Sequence, residues 1–173
     1  MNKKGFSLLE VLIYLSIAFV VLAVVVGFVF WLIDANNKNR VIVQTLNSAK
    51  RAMEIMTYEI RQAESVYTPT TFANQLSLQT LKHLAAGEKS SYIDFYLCGT
   101  QLCLKRESQS PIILTSPAVE ISSLNFTYIV SGDFASVKID ITAQYKNPSA
   151  RPEYNFSTTL NSTVSLRSYK YEQ

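Results

Sequence analysis

From Val11 to Ile33 the chain runs for 23 residues without a formally charged side chain. As a helix rising 1.5 Å per residue, that stretch is long enough to cross about 30 Å of hydrocarbon. Polarity returns at Asp34-Ala35-Asn36-Asn37-Lys38-Asn39-Arg40, yet the first proline is Pro69, so the helix is free to continue past the apolar run. Ile42, Leu46, Ala49, Met53, Met56, Ile60 and Ala63 then recur at spacings of four, three, four, three, four and three, with Lys50, Arg51, Glu54, Tyr58, Glu59, Arg61 and Gln62 between them. This pattern predicts one apolar stripe on a solvated helix. Such a stripe also suits a coiled-coil seam, but small and flexible residues at several positions favour packing on a sheet of the same chain. Continuous from Phe6 to about Val66, the helix would be about 90 Å long.

After Pro69 the period changes to two. Ile93, Phe95 and Leu97 alternate with Tyr92, Asp94 and Tyr96, and Val137, Ile139, Ile141, Ala143 and Tyr145 alternate with Lys138, Asp140, Thr142 and Gln144. Both segments predict half-buried strands. In the last segment Tyr154, Phe156, Leu160, Val164 and Leu166 share one parity and Asn155, Ser157, Thr159, Asn161, Thr163, Ser165 and Arg167 the other, predicting a strand with one buried and one wet face. Leu124, Phe126 and Tyr128 form a further strand after Val119 and Ile121, and Ser122-Ser123 shifts the parity between them as a bulge does. Turns are expected at Ser131-Gly132-Asp133 and along Lys146 to Pro152. The expected architecture is α+β: a lollipop whose long N-terminal helix lies, by its outer half, on an antiparallel sheet of about six or seven strands.

The start of the chain sharpens this picture. Lys3-Lys4-Gly5-Phe6-Ser7-Leu8-Leu9-Glu10 puts two lysines ahead of a glycine and one carboxylate at the mouth of the apolar run. An ionised side chain there is costly unless a partner neutralises it. A secretory signal peptide has a shorter apolar core and a small-residue cleavage site, whereas this run ends in Phe30-Trp31-Leu32-Ile33. An ordinary single-pass anchor explains the length, with Glu10 snorkelling, but not the order of residues.

That order, with Gly5 directly before Phe6 and Glu10 the fifth residue after the glycine, resembles the class III signal of the type IV pilin family. The resemblance implies that a prepilin peptidase/N-methyltransferase cuts between Gly5 and Phe6 and methylates the new amine of Phe6. It implies that Glu10 is an assembly determinant, pairing with the terminal amine of a neighbouring subunit. In a low-dielectric setting the two charges attract strongly but each is desolvated, so the pair mainly sets register and specificity. The implied partners are other pilin or pseudopilin subunits, the processing enzyme, an inner-membrane assembly platform and membrane lipid. The implied segments are a leader at 1–5, a membrane-spanning half-helix at 6–33, an amphipathic half at 34–67 and an extracytoplasmic β domain at 68–173. Arg51-Ala52-Met53, Tyr58-Glu59-Ile60-Arg61-Gln62-Ala63, Leu124-Asn125-Phe126 and Thr163-Val164-Ser165-Leu166-Arg167 look most like the W-type minor pilins and the J-type minor pseudopilins of type II secretion.

Composition and charge exclude more than they select. Of 173 residues, those after the apolar run suffice for one small domain with a single core. The formal charge of +3 falls to +1 once Lys3 and Lys4 are removed, leaving 14 basic against 13 acidic side chains, which does not argue for nucleic acid as a dedicated partner. Lys3 and Lys4 before the span are balanced by Lys38 and Arg40 after it, so charge alone leaves orientation open and the family resemblance puts the C-terminal domain outside.

Cys98 and Cys103 enclose Gly99-Thr100-Gln101-Leu102, a spacing that suits a turn joining the sulfurs as a disulfide in an oxidising compartment. The alternative is a pair of free thiols in a hairpin. Two cysteines and the single distant His83 do not close a zinc shell, so no metal site is expected. No nucleophile elbow, phosphate-cradling glycine loop or His-Glu-x-x-His helix occurs, and neither an enzymatic activity nor a cofactor is expected. Asn125, Asn155 and Asn161 begin Asn-x-Ser/Thr triplets, read as strand surface. A structural filament subunit is therefore expected. The alternative is a tethered module for DNA uptake or adhesion, with Lys82, Lys89, Lys105, Arg106, Arg151, Arg167 and Lys170 as its basic face.

Overall fold

The apolar run and the striped segment form a single helix, α1 (Leu8–Gln62), in the computed structural model, which describes residues 7–84, 86–132 and 134–167. By its contacts the chain divides into two units, Met1–Arg40 and Val41–Gln173. In the first unit the side chains of α1 are exposed along the entire apolar stretch, and none of its most hydrophobic window is covered by the rest of the chain. A helix apolar on all sides and left bare by its own chain has the pattern of a membrane span.

In the second unit α1 buries Val41, Thr45, Ser48, Ala49, Ala52, Met53, Met56, Glu59 and Ile60. Five of the seven predicted stripe residues, Ala49, Met53, Met56, Ile60 and Ala63, are buried, but Ile42 and Leu46 are only half-buried. Val41, Thr45 and Ser48 take their place against the domain. The buried face is thus broader than the apolar stripe, because the small side chains at 45, 48, 49 and 52 let the helix approach closely whatever their polarity. The helix also stops earlier than the expected Val66. Ala63 N–H closes on Ile60 O at 3.2 Å, and the next amide, Glu64 N–H, donates to Gln79 O at 2.9 Å, so Ser65–Val66 become a strand, β1. Sheet pairing there offers the backbone partners that a further helical turn would otherwise supply.

Among the described residues seven more strands follow: β2 (Leu76–Thr80), β3 (Ser91–Cys98), β4 (Gln101–Arg106), β5 (Ile112–Ile113), β6 (Val119–Ser131), β7 (Phe134–Tyr145) and β8 (Ser157–Ser165). They make two antiparallel sheets rather than one, a five-stranded sheet in the order β1-β2-β3-β4-β5 and a three-stranded sheet in the order β6-β7-β8. The strands β1 and β5 are two residues long, too short to show a period of two in sequence.

The longer strands follow the predicted parities. Ile93 and Phe95 are buried on β3, as are Val137, Ile139, Ile141 and Ala143 on β7. The expected bulge is present: the β6–β7 register shifts between Ile121 and Ser123, so Val119 and Ile121 before it and Leu124 and Phe126 after it all face inward. One alternation starts later than predicted. Pro152–Tyr154 forms a 3₁₀ turn, and β8 begins only at Ser157. Proline at the first turn of that helix supplies a preset φ, and Tyr154 lies with its ring 5.9 Å from that of Tyr145 instead of extending the strand.

One core serves both sheets. Ala49, Met56 and Ile60 of α1 belong to the same buried cluster as Leu76, Ile93, Phe95 and Leu102 of the first sheet and Leu124, Val137, Ile139 and Val164 of the second. Two backbone hydrogen bonds run from β6 to connections of the first sheet, Ile121 N–H to Thr100 O in the β3–β4 turn at 2.7 Å and Phe126 N–H to Ala73 O ahead of β2 at 2.6 Å.

Candidate functional site

Ser7 opens α1: its carbonyl accepts from Glu10 N–H at 3.0 Å and Val11 N–H at 3.2 Å. Glu10 therefore sits in the first helical turn, where the positive end of the helix dipole favours a carboxylate. Its side chain is exposed, and one turn on, Tyr14 donates its hydroxyl to Glu10 Oε1 at 3.3 Å. Ser16, two residues beyond Tyr14, donates to Ile13 O at 2.8 Å. A hydroxyl satisfied by its own helix is compatible with a hydrocarbon surround. Gly5 and Phe6, the expected cleavage and methylation positions, lie outside the described residues.

Farther along, Gly27 has no heavy atom within 4 Å of where a Cβ would stand. The chain's own packing does not require a glycine there. Phe28 and Trp31, with ring centroids 5.9 Å apart, form an aromatic pair near the end of the uncharged run, a position typical of membrane interfaces.

Cys98 and Cys103 are joined by a disulfide with their Cα atoms 5.8 Å apart. They are offset across the β3–β4 hairpin, in which Cys98 pairs with Gln101 and Tyr96 with Cys103. The connecting turn is built on Gly99 at φ +67°, a left-handed conformation that glycine adopts without a Cβ penalty. The same turn offers Thr100 O to β6, so the bridged hairpin braces the contact between the two sheets.

Two polar links tie α1 to the rest of the domain, one to β4 and one to the β5–β6 connection. Arg106 Nη2 donates to Glu59 Oε1 at 3.2 Å, with the Glu59 side chain only 6% exposed and that of Arg106 24%. The sequence pattern puts Glu59 on the solvated side of the stripe and Arg106 on a basic face, and the structure buries them against each other instead. About three to four turns earlier, Ser48 Oγ accepts from Ser116 N–H at 3.0 Å and Gln44 Nε2 donates to Ser116 Oγ at 3.3 Å. The signal in the sequence is positional: Glu59 recurs at the helical spacing of Thr45, Ser48 and Ala52, although its charge points to solvent.

Three of the cations expected as a basic face are engaged separately. Arg106 is held by Glu59, Arg151 lies 3.7 Å from Glu153, and Lys82 stands 4.8 Å over the ring of Tyr58. Lys170 lies outside the described residues. His83 is exposed, at φ +59°, in the connection between β2 and β3. Among the described residues no group of three or more His, Cys, Asp and Glu is placed to hold a metal ion.

The fold and these geometries define a class: an α+β domain carried on a bare apolar helix with one carboxylate at its start. Residues 1–29 match the family model described as the prokaryotic N-terminal methylation motif. That motif, the class III prepilin signal, is the mark of pilin-type substrates of prepilin peptidase, and together with the apolar helix behind it is consistent with a type IV pilin-like chain. Pilin-type proteins with this motif are structural and assemble with other pilin subunits, and the apolar helix of this chain fits membrane anchoring. Comparison with the curated proteins and with the solved structures finds no significant match to the chain.

Proposed function

We propose that the chain is a structural subunit, a minor pilin or pseudopilin, of a type IV pilus or type II secretion-like filament. The observation that carries this reading is the methylation motif at 1–29 with Glu10 the fifth residue after Gly5 and 23 uncharged residues behind it. Processing removes residues 1–5, and N-methylated Phe6 becomes the mature terminus. The span at 6–33 holds the protein in the cytoplasmic membrane, with the β domain extracytoplasmic, until an inner-membrane platform adds it to the filament. The disulfide between Cys98 and Cys103 supports an oxidising location for that domain.

Glu10 is the residue on which assembly turns. In lipid its carboxylate is tolerated when the terminal ammonium of a neighbouring subunit meets it, and a mispaired register leaves two charges bare in hydrocarbon. Resemblance of the helix end and of the closing strand to W-type minor pilins and J-type minor pseudopilins supports a minor rather than a major subunit. The test is mass spectrometry of the mature N-terminus together with Glu10→Ala in cells that hold the processing enzyme. Expected are N-methyl-Phe6 as the first residue and a Glu10→Ala protein that is processed but poorly incorporated. Retention of Met1 in the exported protein, or unimpaired incorporation of Glu10→Ala, overturns the reading.

A further inference from the structure

Among the described residues the two sheets have four edges, and three of them are blunted. The edge strands β1 and β5 are two residues long, and β6 is bulged at Ser122 and hydrogen-bonded along its outer side to Thr100 O and Ala73 O. The fourth edge, β8, is nine residues long without a charge, a proline or a register shift. Open edges of this kind template pairing with another strand, and proteins ordinarily protect them.

The ladder shows which groups of β8 are available. At its two ends Tyr145 N–H donates to Phe156 O and Leu166 N–H to Ala135 O, both at 3.0 Å. Hydrogen-bonded pairs alternate along an antiparallel ladder, so the even-numbered residues of β8 spend their backbone groups on β7. The odd-numbered ones, Ser157, Thr159, Asn161, Thr163 and Ser165, turn theirs to the open edge, and their side chains are exposed. Read in either direction these five are Ser-Thr-Asn-Thr-Ser.

We propose that β8 pairs antiparallel with β8 of a second copy of this chain, Asn161 opposite Asn161, joining two three-stranded sheets into one of six. In that register Thr159 faces Thr163 and Ser157 faces Ser165 of the other copy, and every outward backbone group meets a complementary one. The side-chain chemistry is already in use on the inner side of the strand: Thr142 and Thr159 hydroxyls lie 2.9 Å apart, and those of Ser136 and Ser165 lie 3.0 Å apart. Cross-strand pairs of this kind stabilise sheets, and the absence of charge on β8 removes like-charge repulsion across a two-fold axis. The axis stands normal to the joined sheet and reverses every direction lying in its plane. The contact is set by the geometry of β8 alone. It holds whether or not the filament reading does.

The test uses the full chain in detergent. Sedimentation across a concentration series is expected to show a monomer–dimer equilibrium, abolished in a Thr159→Lys/Thr163→Lys double variant whose thermal melt matches the parent's. In a hydrogen-bonded pair the Cα atoms stand about 5.5 Å apart, within disulfide range. Mild oxidation should therefore link Asn161→Cys to itself and Thr159→Cys to Thr163→Cys in a mixture, but not Thr159→Cys to itself. A chain that stays monomeric, a dimer that survives the double lysine variant, or cross-linking as efficient from Thr159→Cys alone overturns the proposal.

Discussion

Glu59 near the end of α1 and Arg106 at the end of β4 form an ion pair across 3.2 Å, with the carboxylate almost wholly buried and the guanidinium a quarter exposed. The pair ties the helix to the five-stranded sheet at the end away from the Ser48–Ser116 link, so the helix is held at two points along the domain by polar contacts of defined direction. The Arg106 Nε atom is buried without a hydrogen-bond partner among the described residues, so the guanidinium is only partly satisfied.

Removing one partner of this pair should cost more than removing both. Arg106→Met leaves the buried Glu59 carboxylate alone and is expected to destabilise the protein by about 3 kcal/mol, the low end for broken buried pairs because Arg106 keeps some solvent. Glu59→Met/Arg106→Met should recover most of that loss by replacing two desolvated charges with apolar volume. Denaturant titrations of the four members of this cycle, made on the full chain in detergent, measure the coupling; equal losses in the single and double variants would show that the buried charge is not the cause.

The observed helix face and the apolar stripe make different predictions. Met56→Ala and Ile60→Ala, at fully buried positions, are expected to cost about 2–5 kcal/mol each. Ile42→Ala and Leu46→Ala, half-buried, should cost about half as much or less, because less apolar area leaves water on folding. A stability series in which Ile42 and Leu46 rank with Met56 would contradict the placement of Val41, Thr45 and Ser48 against the domain.

The disulfide closes a very short loop. Chain-entropy reasoning gives about 2 kcal/mol for a ring of this size, and Cys98→Ser/Cys103→Ser should lower stability by about that amount without unfolding the domain. Because Thr100 between the cysteines accepts from Ile121, hydrogen exchange of the Ile121 amide should quicken in the double variant more than that of Phe126, whose acceptor is Ala73. Uniform quickening of both amides would indicate a global effect instead.

At the N-terminus, charge and hydrogen bonding can be separated. Glu10→Gln keeps an acceptor for the Tyr14 hydroxyl but carries no charge. If the carboxylate serves the terminal amine of a neighbour, Glu10→Gln incorporates into filaments as poorly as Glu10→Ala, while Tyr14→Phe incorporates normally. Quantifying each variant in sheared filament fractions decides it, and near-normal incorporation of Glu10→Gln would assign the residue a hydrogen-bonding role.

Much of this architecture was legible in one dimension because the signals are local. The charge-free run, the methylation motif with Glu10, the strand parities of β3 and β7 and the bulge at Ser122 each depend on neighbours a few residues apart, where helix and strand periods act directly. The Cys98–Cys103 bridge belongs with them, since a glycine turn between two close cysteines is a local geometry.

Tertiary structure alone decided how those pieces meet. Which side of the helix outer half is covered depended on small residues at Thr45, Ser48 and Ala52 that allow close approach, and close approach then buried Glu59 and gave it Arg106 from 47 residues away as a partner. The division of eight strands into two sheets, and the early end of α1 at Gln62, follow from backbone groups finding partners on distant strands. Those choices are set by hydrogen-bond satisfaction and packing between segments remote in sequence, and a pattern of hydrophobic and polar positions carries no record of which remote segment supplies the partner.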